Sequence, residues 1–336
     1  FAFRENMRIS DIIASIEQFP PGLDFDYGIV SREDPISGFL PAINFHPRDV
    51  LSNPGSDGDI TLKSRDVVIF FSEESRQEQL SDLVNNLRSQ ARSGAPEKII
   101  SVNDGARLPG NYPLVKNMRV SDLIEVAGGL TPEYADLDFA ILAREDLDED
   151  GHVELINLKL RKIIESPQSN DDLRLQPRDQ LMLFSKVRDK RASLSDLIQR
   201  LKTQSKLAKP PKVVFVNGTV KYPGEYPLIE NMTLADLIDL SGGLTESAYS
   251  QTAEISRLNL SNPKSAQTSI FVTDLINSDA MKLEASDYVE FRSLPNYGAY
   301  ELITLEGEFI FPDYHAWIKY LLNYANKCKN KKIFWY

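Results

Sequence analysis

The sequence is poor in several features, and each shortage argues against a class of protein. It holds one cysteine among 336 residues, Cys328, so an internal disulfide is excluded. It lacks an apolar run of the roughly 20 residues that a membrane-spanning helix needs. Lysine and arginine number 38 against 49 aspartates and glutamates, which gives a net charge of −11. Nucleic acid requires a basic footprint, so it is excluded as a partner, and an anionic polymer would be repelled except at a local basic patch.

Residues that commonly carry catalysis are also scarce. The three histidines, His46, His152 and His315, have no partner at metal-ligand spacing, and the sequence shows neither a Cys/His pair nor a G-x-S-x-G motif. A glycosidase needs two positioned carboxylates, and Glu145-Asp146 is an example of such an acidic pair. Adjacent carboxylates in a hairpin loop are more commonly hydrated. The sequence therefore predicts no metal centre, no cofactor and no catalytic activity.

What the chain does contain is a repeat. The stretch from Lys212 to Leu244, KVVFVNGTVKYPGEYPLIENMTLADLIDLSGGL, aligns without a gap on the stretch from Lys98 to Leu130, KIISVNDGARLPGNYPLVKNMRVSDLIEVAGGL. The offset is 114 residues (212 − 98). Repetition at this period indicates several copies of a small unit rather than one large fold.

Local signals in the later copy predict a β-hairpin followed by one amphipathic helix. The β-branched run Val213 to Val216 predicts a strand, and Pro223-Gly224 predicts the turn before the next one. Thr233 and Asp236 form the N-cap and N3 pair of a capping box. Gly242-Gly243 ends the helix where a left-handed residue is wanted.

Two partial copies flank the complete ones. Asn6 to Ile13 matches Asn117 to Ile124 and predicts a helix, and this opening in mid-repeat predicts that the chain is a mature or truncated fragment. Thr304 to Pro312 begins a fourth copy that then fails. The tail that follows it, residues 313–336, holds both tryptophans and a lysine cluster; we interpret it as atypical sequence rather than as a membrane-surface helix.

Two connecting segments repeat as well. Leu80 to Leu87 and Leu194 to Leu201 share a leucine-rich amphipathic pattern, again 114 residues apart. We expect helices over Gln77–Ser93 and Ser193–Ser205. Each of the first three copies also closes on a strand, which the apolar pattern predicts over Leu62–Phe70, Leu175–Phe184 and Leu283–Phe291.

The pattern V-N-G-x-V-x-x-P-G-x-Y-P-L, then T-L-x-D-L-I, then S/A-G-G-L-T, resembles the SLBB module (soluble ligand-binding β-grasp) of bacterial polysaccharide export proteins. This resemblance implies an α+β fold of tandem β-grasp modules joined by spacer helices. The expected divisions are unit 1 at 1–72, truncated at its start; a spacer helix at 73–97; unit 2 at 98–185; a spacer helix at 186–211; unit 3 at 212–293; a truncated fourth unit at 298–312; and the tail at 313–336. Because such modules are small, neighbouring units are expected to lean on each other.

Candidate binding residues lie at the turns of the repeat. The ligand or assembly surface is predicted at Tyr112, Gly128, Gly129, Tyr134, Tyr226, Gly242, Gly243 and Tyr249. Exposed glycine backbone can cradle a ligand and tyrosine rings can stack on sugars, but the same glycines stop a helix and Tyr112 and Tyr226 can pack beneath the hairpin. We favour the structural alternative for both.

One acidic hairpin resembles the opening of a calcium loop. Asp146, Asp148 and Asp150 occupy its first, third and fifth positions, and a glycine follows. The twelfth position is Asn157 rather than a bidentate glutamate. We favour a solvated turn over a calcium site.

The resemblance implies a component of capsular or exopolysaccharide export that acts through binding and assembly surfaces. It places the protein in the periplasm, associated with the outer membrane in its full-length form. Its implied partners are a polysaccharide chain, other export components and further copies of itself in a ring. The alternative is a stand-alone periplasmic protein that binds or modifies carbohydrate.

Overall fold

The computed structural model describes residues 2–13, 19, 21–33, 41–72, 76–92, 96–103, 105–131, 135–146, 152–185, 188–205, 210–259, 267–295 and 297. The expectations for a fourth unit at 298–312 and for the tail at 313–336 lie outside these residues. Among the helices described, none is long and apolar enough to cross a membrane.

The chain forms an α+β structure of thirteen strands and six α-helices in the part described. The strands are β1 (Leu23–Ser31), β2 (Ala42–Phe45), β3 (Val67–Ser72), β4 (Ile99–Val102), β5 (Gly110–Pro113), β6 (Ala135–Glu145), β7 (Val153–Leu158), β8 (Gln180–Ser185), β9 (Val213–Gly218), β10 (Gly224–Pro227), β11 (Thr252–Asn259), β12 (Gln267–Asp274) and β13 (Tyr288–Phe291). The helices are α1 (Pro47–Ser52), α2 (Arg76–Ser89), α3 (Val120–Val126), α4 (Leu160–Glu165), α5 (Arg191–Thr203) and α6 (Leu234–Leu240).

The strands form three separate sheets. The second sheet has the order β5-β4-β8-β6-β7 and the third has the equivalent order β10-β9-β13-β11-β12. In both, the hairpin strand β4 or β9 runs parallel to the closing strand β8 or β13, and the remaining pairs are antiparallel. The first sheet, β2-β1-β3, has no counterpart of that hairpin among the described residues. The fold is therefore a set of tandem β-grasp modules.

The module helices begin and end as the sequence predicts. Thr233 is the N-cap of α6: its hydroxyl accepts a hydrogen bond from the Asp236 amide, and the Asp236 carboxylate accepts one from the Thr233 amide. The apolar side of α6, Leu234, Leu237 and Leu240, is buried in the core of the third module. Helix α6 thus packs its apolar side on the third sheet, and α3 and α4 both contribute to the core of the second module.

The spacer helices bury their leucines between neighbouring sheets. Leu80, Leu83, Val84 and Leu87 of α2 belong to one apolar cluster with residues of the first and second sheets. The equivalent residues of α5, Leu194, Leu197, Ile198 and Leu201, join the second sheet to the third. Each helix starts one or two residues earlier than predicted and ends sooner. Because the cores run across the helices, the expectation that neighbouring units lean on each other is confirmed.

Two local predictions need correction. The opening helix is a 3-10 turn over Ile9–Asp11, with Ile9 fully buried. The closing strands start at Val67, Gln180 and Tyr288, not at Leu62, Leu175 and Leu283. The reason is a turn before each strand, where Arg65, Arg178 and Ser286 adopt left-handed φ angles of 70°, 67° and 66°. A residue with positive φ does not continue an extended strand.

Candidate functional site

The predicted glycine pairs end helices α3 and α6. The Gly129 amide donates to the Ile124 carbonyl (2.8 Å) and the Gly128 amide to Glu125 (2.9 Å), which is the Schellman pattern. Gly242 and Gly243 make the same two bonds at the end of α6. Both pairs adopt φ between 78° and 90°. The helix-stop interpretation therefore accounts for all four glycines.

The two repeat tyrosines pack beneath their hairpins. Tyr112 and Tyr226 are 0% exposed, and their hydroxyls donate to the carbonyls of Leu108 and Tyr222, each at 2.6 Å. Burial raises the pKa of both phenols. A ring that stacks on a sugar needs an exposed face, and neither ring has one.

Of the remaining predicted residues, Tyr249 is partly exposed and its hydroxyl donates to Gln251 (2.7 Å). Asp146 follows β6, so strands rather than helices flank the acidic hairpin, while Tyr134, Asp148 and Asp150 lie outside the described residues. Within the described chain, no group of three or more histidine, cysteine, aspartate or glutamate residues is placed to hold a metal ion.

The aspartates shared by the closing strands are held in ion pairs. Asp66, Asp179 and Asp287 each accept at least two hydrogen bonds from one arginine in, or directly after, the neighbouring strand of the sheet, with shortest distances of 2.7–2.8 Å. Those arginines are Arg32, Arg144 and Arg257. Bidentate pairing of this kind orients both side chains. The lock recurs in all three sheets and is structural.

Glu145, half of the acidic pair that the sequence singles out, is also paired. One of its oxygens lies 2.8 Å from Arg178 and the other 3.3 Å from Arg200. Both carboxylate oxygens are therefore engaged by cations, as a structural role requires.

The distinctive geometry lies where a spacer helix starts. Here we call the contact of α2 with the first two sheets junction 1. The Arg76 guanidinium is 2.6 Å from Asp24 in β1, donates to the Val126 carbonyl at the end of α3, and lies 4.5 Å above the Tyr27 ring. Arg76 is only 3% exposed. One buried cation thus binds two modules and an aromatic ring.

Junction 2, the contact of α5 with the second and third sheets, repeats this plan with other side chains. Lys190 takes the place of Arg76 (76 + 114) and lies 2.9 Å from Asp136. Phe139 takes the place of Tyr27, 5.1 Å from the ammonium. Within the described residues, the ammonium makes no bond to the carbonyl of Leu240, the counterpart of Val126. Lysine lacks the forked guanidinium that reaches two acceptors at once.

The next residue of each spacer helix holds the hairpin of the following module. Gln77 donates to the Pro109 carbonyl and Arg191 donates to the Pro223 carbonyl, each at 2.6 Å. The Pro-Gly turn that the sequence marks is therefore where the helix docks. Helix start, preceding strand and following hairpin are fixed together at both junctions.

A cleft of about 860 Å³ opens at junction 1. Its floor includes Tyr27 and Arg76, and its wall includes Gly128 and Gly129 of the predicted surface. The charged side chains that line it are balanced, three acidic and three basic: Asp24, Asp26, Glu125, Arg48, Arg76 and Arg107. Its size falls within the roughly 300–1,000 Å³ of small-molecule sites.

The sequence predicted Gly128 and Gly129 in the wall of this cleft but not Tyr27 and Arg76 in its floor. Arg76 and Lys190 are separated by the repeat offset, as the spacer leucines are, but their residue types differ. The signal that would have revealed them is their position: in both spacer helices a cation lies just before the repeated leucine pattern.

Comparison with known families agrees with this architecture. The model of the SLBB domain matches residues 107–157 and 213–268, which lie in the second and third modules. An SLBB domain is a binding module. The chain therefore carries two SLBB domains, and its fold is the tandem β-grasp array that the sequence resemblance implied. No curated protein matches the chain.

Proposed function

We propose that this chain is part of a protein that exports surface polysaccharide, capsular or exopolysaccharide, across the bacterial periplasm and outer membrane. It acts through binding and assembly surfaces and not as a catalyst. The observation that carries the proposal is the pair of SLBB domains, which are joined to each other and to the first sheet by the same buried junction. Modules repeated at one pitch present an extended surface, which suits a linear polymer.

The chemistry of the carboxylates supports a non-catalytic role. Hydrolysis of a glycan uses two carboxyl groups on either side of a bound sugar. The buried carboxylates of Asp66, Asp179 and Asp287 each accept hydrogen bonds from an arginine and from a backbone amide. Because these contacts stabilise the fold, the three carboxylates are not available as catalytic groups.

The proposal includes a place and partners. We place the protein in the periplasm, associated with the outer membrane in its full-length form, with other export components beside it. Full-length copies would form a ring, which requires a head-to-tail contact between unlike surfaces.

The alternative function is that of a stand-alone periplasmic protein that binds or modifies carbohydrate. The cleft at junction 1 favours it, because a single site of this size is sufficient for an oligosaccharide. The two functions differ in what their loss does to polymer at the cell surface.

The test is a deletion in the parent bacterium. Residues 98–293 are removed in frame from the full-length protein, and polymer is measured separately in the cell and on its surface. Export predicts that surface polymer is lost while synthesis continues, and that an undeleted copy restores it. Unchanged surface polymer, or cleavage of the polymer by the purified chain, contradicts the proposal.

A further inference from the structure

Two buried polar atoms at junction 1 have no partner. They are the Tyr27 hydroxyl and Nε of Arg76, and both residues line the cleft. Tyr27 is 1% exposed, and burial raises the pKa of its phenol, so the hydroxyl stays protonated. A buried polar group without a partner costs about 1–3 kcal/mol. A molecule bound in the cleft would remove this cost by supplying the missing hydrogen bonds.

Among the residues described at junction 2, the same positions have no such atoms, although the backbone plan is the same. Phe139 has no hydroxyl, and Lys190 has no counterpart of Nε. The space also differs, since the Tyr222 ring packs on Gly242, whereas the smaller Leu108 packs on Gly128. The unpartnered groups are thus a property of junction 1 and not of the repeat.

The rim of the cleft suits a ligand with many hydroxyl groups. Asp26 and Arg48 form an exposed ion pair at 2.9 Å, and Glu125 adds another exposed acceptor. The side chain of Arg107 is exposed and makes no hydrogen bond or ion pair to the described residues. Carboxylates accept from hydroxyl donors and guanidinium groups donate to hydroxyl oxygens, so neighbouring sugar hydroxyls satisfy both.

Two further features fit a sugar ring. Phe25 lines the cleft and is partly exposed, which gives an apolar face for the C–H side of a pyranose. A side chain at Gly129 or Gly22 would enter open space, so the backbone there is accessible to a ligand. Because the lining holds three acidic and three basic side chains in a chain of net charge −11, a neutral ligand fits better than a polyanion.

We propose that the cleft at junction 1 binds a short neutral segment of a polysaccharide, with Tyr27 and Arg76 at its floor and Arg107, Glu125 and Phe25 at its rim. This inference rests on the proposed function and names its binding site. Junction 2 serves as a structural joint with the same backbone plan. Of the two described junctions, junction 1 is then the one that binds sugar.

Calorimetry on the full 336-residue chain tests this. The probes are the neutral and acidic oligosaccharides, four to eight sugars long, released by partial acid hydrolysis from the surface polymer of the source bacterium. The neutral fraction is expected to bind, and Tyr27→Phe is expected to weaken binding about three- to tenfold, the worth of one hydrogen bond. Arg107→Ala should weaken it at least as much.

The matched control is Lys221→Ala, the counterpart of Arg107 at junction 2 (107 + 114), which should leave binding unchanged. Melting temperature separates binding from folding: Tyr27→Phe removes an unpartnered hydroxyl, so it should melt no lower than the wild type. Binding of the acidic fraction alone, no binding, or equal binding by wild type, Tyr27→Phe and Arg107→Ala overturns the site. Those results leave the deletion experiment to decide the export function independently.

Discussion

Junctions 1 and 2 share one backbone plan and differ in the side chains at its centre. At both, a cation at the start of the spacer helix pairs with an aspartate of the preceding sheet, at 2.6 Å for Arg76 and 2.9 Å for Lys190. Arg76 also reaches the next module through Val126, and it lies over a tyrosine where Lys190 lies near a phenylalanine. The way in which modules are joined is therefore the same at both junctions, whereas individual side chains decide what each junction can bind.

The largest effect is expected from removing the central cations. Arg76→Ala and Lys190→Ala each leave a largely buried aspartate unpaired, which costs about 3–5 kcal/mol. Arg76→Ala should cost more, because it also leaves the Val126 carbonyl without its donor. Urea unfolding measures both, with the exposed pair variant Arg48→Ala as the control. A decrease in the free energy of unfolding of less than about 1 kcal/mol in both variants would contradict a stabilising role for these two buried ion pairs.

An intermediate effect is expected when a hydroxyl is introduced at junction 2. Phe139→Tyr makes this position match Tyr27 and places a buried hydroxyl beside Lys190. Without a partner there, the hydroxyl should destabilise the protein by about 1–3 kcal/mol. Thermal unfolding checks this. A neutral or stabilising result would mean that junction 2 can satisfy a hydroxyl, and the contrast between the junctions would fail.

The smallest effect on stability is expected when the pH is lowered. Hydrogen bonds from Arg191 lower the pKa of Asp189, so this carboxylate stabilises the fold above its unfolded pKa of about 3.9 and loses that contribution as the pH falls through the lowered value. Both side chains are partly exposed, so the pair contributes less than about 1 kcal/mol to the free energy of unfolding. Junction 1 has the uncharged Gln77 at the place of Arg191.

Urea midpoints of the wild type and Asp189→Asn, compared at about pH 6 and about pH 3, measure this contribution. The difference between the two proteins should shrink at the lower pH. A difference that stays constant would show that the pair does not titrate with the fold.

The second sheet also differs from the third in the side chains on its outer face. Phe139, Ile141 and Phe184 of the second sheet belong to the core shared with α5. At the equivalent face the third sheet carries Glu254 and Arg292, paired at 2.6 Å, and exposes Ile270 and Val272. Among the described residues, this face of the third sheet therefore lacks the apolar side chains that the second sheet contributes to its junction.

The sequence predicted what local chemistry decides. The capping box at Thr233, the helix stop at Gly242-Gly243 and the buried leucines of α2 depend on residues a few positions apart, so their pattern is visible in the chain. The short helices α1 and α4 were missed, because six residues show no clear periodicity.

The floor of the cleft could not be predicted in the same way. Arg76 meets Asp24 and Val126, which are about 50 residues away on either side, and no spacing rule connects them. The unpartnered state of the Tyr27 hydroxyl likewise exists only after three elements have packed.

The most direct measurement of the difference between the junctions is hydrogen exchange, followed by mass spectrometry, on the full chain with and without the neutral oligosaccharide fraction. We expect slower exchange in peptides covering residues 22–27 and 107–129, which line the cleft, and no change over 136–139 and 221–243 at junction 2. Equal protection at both junctions, or protection at junction 2 alone, would contradict the assignment of one junction to binding and the other to assembly.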